Sequence, residues 1–254
     1  MIVAICVFSL FHPAELQVQA AHSHPIVVTE NGRARTLEGS ATARLRGAAT
    51  VTGLNGADAQ FILSVPGKIR REFHGTLDVR GEADELRAIV RMELETAVGS
   101  IVAAESPPQA PLEARKAQAV VARSFLLAAK HRHDGFDFCD TTHCQFLREP
   151  PTAQSINARA AAETLGLVLA HQGRPIAALY SANCGGTTRT LEEAGWNAEP
   201  YPYYAVECPV RGAVSGHRIG MCQEGAAAMA KQGRTFREIL SAYFPTTALI
   251  GQPR

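Results

Sequence analysis

Aromatic residues are scarce, 6% of the chain with a single Trp, which leaves little from which to build an aromatic carbohydrate groove or a base-stacking platform. Charge of one sign is also missing. Lys plus Arg total 25 against Asp plus Glu 24, a formal net charge of +1. Nucleic-acid binding driven by a basic field needs an excess of phosphate-neutralising side chains, so that class of partner is excluded. Lysine is rare at four residues, and nearly all the positive charge is Arg. There is no long hydrophobic run, no internal repeat and no low-complexity tract. What is present is ordinary for a folded chain of 254 residues: 46% hydrophobic and 19% charged, enough to bury a core and too apolar for disorder. Six cysteines complete the inventory, and their meaning depends on compartment.

The first apolar run, Ile2 to Phe11, is ten residues long. A membrane-spanning helix needs about 20. The run has the length of a signal-peptide core, with Val18-Gln19-Ala20 as a small-residue cleavage site, though no Lys or Arg precedes it. On that reading residues 1–20 are a signal peptide, Cys6 leaves with it, and the mature protein acts outside the cytoplasm, secreted or in the envelope. The alternative is a buried N-terminal strand.

Residues 21–85 read as short strands broken at Asn31-Gly32, Asn55-Gly56 and Pro66-Gly67, with Phe61 to Val65 the clearest of them. From residue 86 the pattern changes. Leu86 to Leu94 is strand-like, and Val98 to Ala104 is a second apolar stretch ending at Glu105. A proline-rich loop leads through Pro111 into a strong helix from Leu112 to Lys130, whose Ala114, Ala117, Val121, Phe125 and Ala128 make one buried face. A loop rich in Cys and His follows, then a helix over Ala153–Thr164 and strands over 167–170 and 176–180. Helices near 224–231 and 235–243 close the chain. The layout is α+β.

Five ordered blocks carry a resemblance. They are Ala104-Glu105-Ser106-Pro107 with Pro111 to Ser124 (PLEARKAQAVVARS), Cys139 to Gln145, Tyr180 to Thr188 with Trp196, Gly216 to Ala226, and Glu238 to Thr246. Together they closely resemble the SpoIID/LytB domain, over roughly residues 86 to 250. The implied fold is a mixed sheet with packed helices forming a substrate cleft. Three positions depart from the family pattern: Ser106 where Met is usual, Arg218 where Gly is frequent, and Cys222 where Ser is common.

The resemblance implies a peptidoglycan lytic transglycosylase with Glu105 as the catalytic acid. Ordinary glycosidases use two carboxylates. Here the attacking group is the muramyl 6-hydroxyl of the substrate, so one Glu suffices: it protonates the leaving oxygen, then takes the proton of that hydroxyl and leaves a 1,6-anhydro end. Such a Glu must be protonated near neutral pH, which apolar surroundings favour. Without the resemblance, a lone Glu at this point reads as a solvated loop residue. Lys116, Gln118 and Arg123 lie on the helix; Lys116 and Arg123, seven apart, point the same way and are candidates for one wall of the cleft. Their plain reading is a solvated polar face. Gln145, Tyr180, Ser181, Trp196, His217 and Gln223 are further substrate-contact candidates, with Trp196 either stacking on a sugar or packing internally.

His133, Cys139 and Cys144 have the spacing H-x5-C-x4-C, with His143 as a further donor. Imidazole and thiolate suit Zn²⁺, and three protein ligands leave a position for water. Some family members carry a similar site, which supports zinc; the alternative is a Cys139–Cys144 disulfide. The family-like core holds Cys184, Cys208 and Cys222, for which the resemblance suggests a Cys184–Cys208 disulfide and a free buried Cys222 thiol. The partners expected are glycan strands and a cell-wall amidase or other envelope protein. A binding module of the amidase-enhancer type, holding peptidoglycan without cutting it, is the alternative function. A zinc-dependent hydrolase centred on His133 is a third.

Overall fold

The computed structural model describes residues 1–22, 24–130, 132–197 and 199–251. Helices and strands are both well represented, and the fold is α+β with a β-rich N-terminal part. The chain forms two compact units, Met1–Ser100 with Lys130–Pro150, and Ile101–Ala129 with Pro151–Arg254.

The first unit is built on β1 (Ile2–Val7), β2 (Leu16–Ala20), β3 (Ile26–Glu30), β4 (Arg33–Leu37), β5 (Thr42–Leu45), β6 (Ala49–Thr52), β7 (Ala59–Val65), β8 (Ile69–Glu82) and β9 (Glu85–Glu93). The short β10 (Phe138–Cys139) joins them. The main path through the sheet runs β10-β1-β9-β8-β6-β3-β4, and a branch runs from β8 through β7 and β2 to β5. Strand β7 shows the period-two pattern that half-buried strands require: Ala59, Phe61, Leu63 and Val65 are buried and the residues between are not. Strand β8 carries both parts because it changes partner at Gly75. Its first half pairs with β7 and its second with β9. Gly75 has φ of 142°, and a Cβ there would lie 2.1 Å from the Arg91 carbonyl oxygen, so only glycine fits.

The run expected as a signal-peptide core is placed as strand β1. It pairs antiparallel with β9 over six residues and parallel with β10 through Ile5↔Phe138 and Cys6↔Cys139. Five of its six residues are buried, the pattern of a central strand covered on both faces. The alternative weighed for this run, a buried N-terminal strand, describes its structure.

The apolar stretch before Glu105 is the body of helix α1 (Leu94–Glu105). Leu94, Ala97, Val98, Ile101 and Val102 are all buried, and their spacing of three and four is a helical stripe. The second unit centres on α2 (Leu112–Ala128), with α3 (Ile156–Glu163), β11 (Leu167–His171), β12 (Arg174–Pro175), β13 (Tyr180–Ser181), β14 (Met221–Cys222), α4 (Gln223–Lys231), α5 (Phe236–Tyr243) and β15 (Ala248–Gly251). The strand expected over 176–180 is limited to β13, whose Tyr180 and Ser181 pair in parallel with Met221 and Cys222. Strands β12, β11 and β15 form an antiparallel sheet. Helix α2 packs against α3, α4, α5 and β11, and is buried on nearly every side. Alanine at 114, 117, 119 and 122 makes that close approach feasible, while Val120, Val121 and Phe125 fill the remaining space. Among the described residues no helix is long and apolar enough to cross a membrane.

Candidate functional site

Glu105 is the last residue of α1 and partly exposed. The turn that follows it is held by Arg115, buried on α2. The Arg115 guanidinium donates to the carbonyls of Pro107 (3.2 Å), Pro108 (2.8 Å) and Ala110 (3.0 Å), and to Asn157 Oδ1 at 2.5 Å. Burial lowers its pKa from the usual arginine value, but not by enough to unload a guanidinium near neutral pH. Sequence reading missed Arg115, although it stands inside the PLEARKAQ block; nothing in the pattern separates a residue that fastens a loop from one that faces solvent.

Two polar side chains, Tyr180 and Gln223, bond to Glu105, and Gln118 bonds to both of them. Tyr180 hydrogen-bonds the Glu105 carboxyl group and also Gln118, and burial together with the Glu105 charge pushes the Tyr180 phenol well above its usual range. Tyr180 therefore stays protonated and donates. Gln223, the first residue of α4, donates from Nε2 to the Glu105 backbone carbonyl at 2.8 Å and to Gln118 Oε1 at 3.3 Å. The first of these bonds satisfies one of the carbonyls left open at the end of α1. Gln118 and Gln223 are 2% and 6% exposed, so their amides are fixed rather than mobile.

His217 extends the group. Its Nδ1 accepts from the Ile219 N–H at 3.0 Å, it hydrogen-bonds the Tyr180 backbone, and burial lowers its pKa from 6.5. The Trp196 ring lies 5.2 Å from the His217 ring at 46° and is 47% exposed. Trp196 is thus a surface ring, with a face open to solvent, and not a core residue.

The family departures at Arg218 and Cys222 have local explanations. Arg218 has φ of 67°, the left-handed region where Gly is at ease, and its guanidinium offsets the strain by donating to the Thr187 carbonyl at 2.9 Å. Cys222 is the N-cap of α4, and its Sγ accepts from the Gly225 N–H at 3.3 Å as a Ser oxygen would. The Ser106 hydroxyl is buried and finds no partner among the described residues.

Several expected contacts stand elsewhere. The Lys116 ammonium is ion-paired with Glu113 at 2.7 Å and Glu163 at 2.6 Å. Arg123 is fully buried and donates to the Leu167 carbonyl at 3.0 Å and the Ala161 carbonyl at 3.4 Å, tying α2 to β11 and α3. Ser181 is buried opposite Cys222 in the β13–β14 pair. Gln145 is buried in the first unit.

The His/Cys loop lies in the first unit. One donor atom from each of His133, Cys139, His143 and Cys144 falls within 4.8 Å of the others. His133 Nε2 is 3.3 Å from Cys144 Sγ, and His143 Nδ1 is 3.6 Å from Cys144 Sγ and 3.9 Å from Cys139 Sγ. Hydrogen bonds from Cys144, Thr141 and His143 pull the Cys139 thiol down to about 4, while Cys144 moves up as the donor. Two sulfurs and two imidazoles are the donor set of a tetrahedral zinc site, so the residues fit the ion, with His143 added to the three ligands expected. Three of them, His133, Cys139 and His143, border a cavity of about 640 Å³ together with His12, Glu82 and Glu85.

Cys184, Cys208 and Cys222 are free thiols in one buried cluster, their Sγ atoms within 4.8 Å of one another. The expected arrangement of a pair and a bystander gives way to a group of three. Hydrogen bonds from Cys222 and Tyr243 bring Cys208 down to about 5, and Cys222 moves up.

Residues 82–171 match the family model described as Stage II sporulation protein, SpoIID, in agreement with the SpoIID/LytB resemblance read from the sequence. The family is tied to the cell wall and to peptidoglycan processing. The matched segment includes Glu105, Gln118 and the His/Cys loop, and stops before Tyr180, His217 and Gln223. An uncharacterized protein of Brachyspira hyodysenteriae (strain ATCC 49526 / WA1) is 29% identical over 133 residues, 51% of this chain and 36% of that protein. The chain therefore covers little more than a third of that relative's length.

Proposed function

We propose that the protein is an extracytoplasmic lytic transglycosylase that cuts peptidoglycan glycan strands with Glu105 as its single acid and base. The observation that supports this most is the setting of the carboxyl group: a partly exposed Glu bonded by a protonated Tyr180, with Gln118 and Gln223 fixing the surrounding backbone and amides.

Glu105 first donates its proton to the glycosidic oxygen as the C1–O bond breaks and positive charge develops at C1. The resulting carboxylate then removes the proton of the muramyl 6-hydroxyl, whose oxygen closes on C1 of the same sugar. The acid is regenerated and the product is a 1,6-anhydro end. Its place on the last turn of α1 sets the carboxyl group at the negative end of the helix dipole. Tyr180 steadies the carboxylate once its proton has left. Trp196 offers a flat apolar face for a sugar ring.

The test compares wild type with Glu105→Gln on glycan strands stripped of stem peptides. The variant keeps size and polarity but has no proton to give. General acid–base catalysis is worth about 10²–10⁴-fold, so anhydromuramyl products should fall by at least the lower figure. Equal product from both proteins would remove Glu105 from the chemistry and leave glycan binding or amidase enhancement as the better reading.

A further inference from the structure

We infer that Cys184, Cys208 and Cys222 form a second metal site, a buried thiolate centre for one zinc ion that holds the second unit together.

The three sulfurs come from three separate segments: the turn after β13, the loop at 208, and the junction of β14 with α4. They are 0%, 2% and 0% exposed, and no sulfur pair stands apart from the third. A disulfide can use only two of three sulfurs, and it would leave a buried thiol against the bond, free to exchange with it. A metal ion uses all three. Zinc–sulfur bonds of about 2.3 Å place thiolates roughly 4 Å apart, which falls inside the 4.8 Å that bounds the mutual spacing of these atoms.

The surroundings are those of a metal-bound thiolate set. Cys222 Sγ accepts from the Cys184 N–H at 3.4 Å and the Gly225 N–H at 3.3 Å, the second at the N-terminus of α4 where the helix dipole favours negative charge. The Tyr243 hydroxyl lies 3.1 Å from Cys208 Sγ, placed to hydrogen-bond that sulfur or to supply a fourth donor. The Arg211 guanidinium donates to the Cys208 carbonyl at 2.5 Å, which sets a cation beside the cluster. Three thiolates and Zn²⁺ carry one net negative charge, and these donors and this cation offset it. Glycine at 225 is required, since a Cβ would lie 2.3 Å from Cys208 Sγ and 2.0 Å from the Tyr243 hydroxyl oxygen. The space is shaped around the sulfur.

Loading is proton-balanced: Zn²⁺ displaces the protons still held by the three sulfurs, which go to solvent, and no oxidant or reductant is involved. Affinity must then fall as pH drops. The site has no exposed face, so its role is structural, and it is separate from the His133 loop, which belongs to the other unit.

The test is zinc content of the full chain purified without a His tag, with the loop site disabled by His133→Ala and Cys144→Ser so that the two sites are counted apart. About one zinc per chain should remain in that variant. Adding Cys208→Ser should remove it. Because Cys208→Ser also risks the fold, a second measurement uses the loop-disabled variant with its core intact. Exchange of its zinc for Co²⁺ should produce an intense near-ultraviolet thiolate-to-cobalt band, and denaturing it in chelator without reductant should leave Cys184, Cys208 and Cys222 all open to alkylation. A disulfide between any two of the three, or three free thiols with no metal, overturns the inference.

Discussion

His217 is poised to report on its surroundings. Its ring is neutral in the fold because burial lowers its pKa from 6.5, and Nδ1 accepts the Ile219 N–H. Below pH 6.5 the unfolded chain takes up a proton that the folded chain resists. This part of the stability is therefore complete above 6.5 and is lost as pH falls toward the depressed folded value. Thermal melts from about pH 5 to 8 should show wild type losing stability on the acid side more steeply than His217→Gln, whose side chain does not titrate. Parallel curves would contradict that assignment. The residues around Glu105 were unevenly legible. The block from Glu105 to Arg123 pointed to Glu105 and Gln118, which the fold brings together with Tyr180 and Gln223. It pointed as well to Lys116 and Arg123, which the fold uses elsewhere. Helical spacing places a polar residue on a face; whether that face meets water, an ion pair or buried carbonyls depends on elements distant in the chain, here α3 and β11. Arg115 went unseen for the same reason.

Helix α2 is the element on which the second unit turns, and Arg123 is its buried fastening to α3 and β11. Replacing Arg123 by Met keeps most of the volume but leaves the Leu167 and Ala161 carbonyls without their donor. A loss of about 2–4 kcal/mol is expected, read from the denaturant midpoint, with binding of the folded variant to sacculi unchanged. A stable Arg123→Met that no longer binds sacculi would return Arg123 to the substrate. Element types were mostly readable: β7 stands where the clearest strand was expected, α2 where composition and spacing placed a helix, and α5 within the helix expected near 235–243. The largely apolar stretch from Val98 to Ala104 fits a buried strand and a buried helix equally. Extending the window back to Leu94 exposes the spacing of three and four that settles it.

At the scale of the molecule, the N-terminal run matters most. Strand β1 is hydrogen-bonded on both sides, and β10, which carries Cys139, pairs with β1. A chain beginning at residue 21 lacks β1 and β2, and so loses the strand that joins β10 to β9 and the link between β7 and β5. It should expose the His133–Cys144 loop to rapid proteolysis, whereas the full chain should resist. Equal resistance would show that the first unit folds without these strands and would favour the processed form. The even charge balance agrees with a largely uncharged glycan as the ligand, and the scarcity of aromatics leaves Trp196 as the exposed indole beside the proposed site.

The central claim is that the substrate's own hydroxyl, and not water, attacks C1. Digestion of denuded glycan in oxygen-18 water, followed by mass analysis of the new muramyl ends, tests it directly. The account predicts ends lighter by one water than hydrolysed ends and free of the heavy isotope. Reducing ends carrying oxygen-18 would identify a hydrolase and contradict it, and an absence of new ends would contradict cleavage altogether.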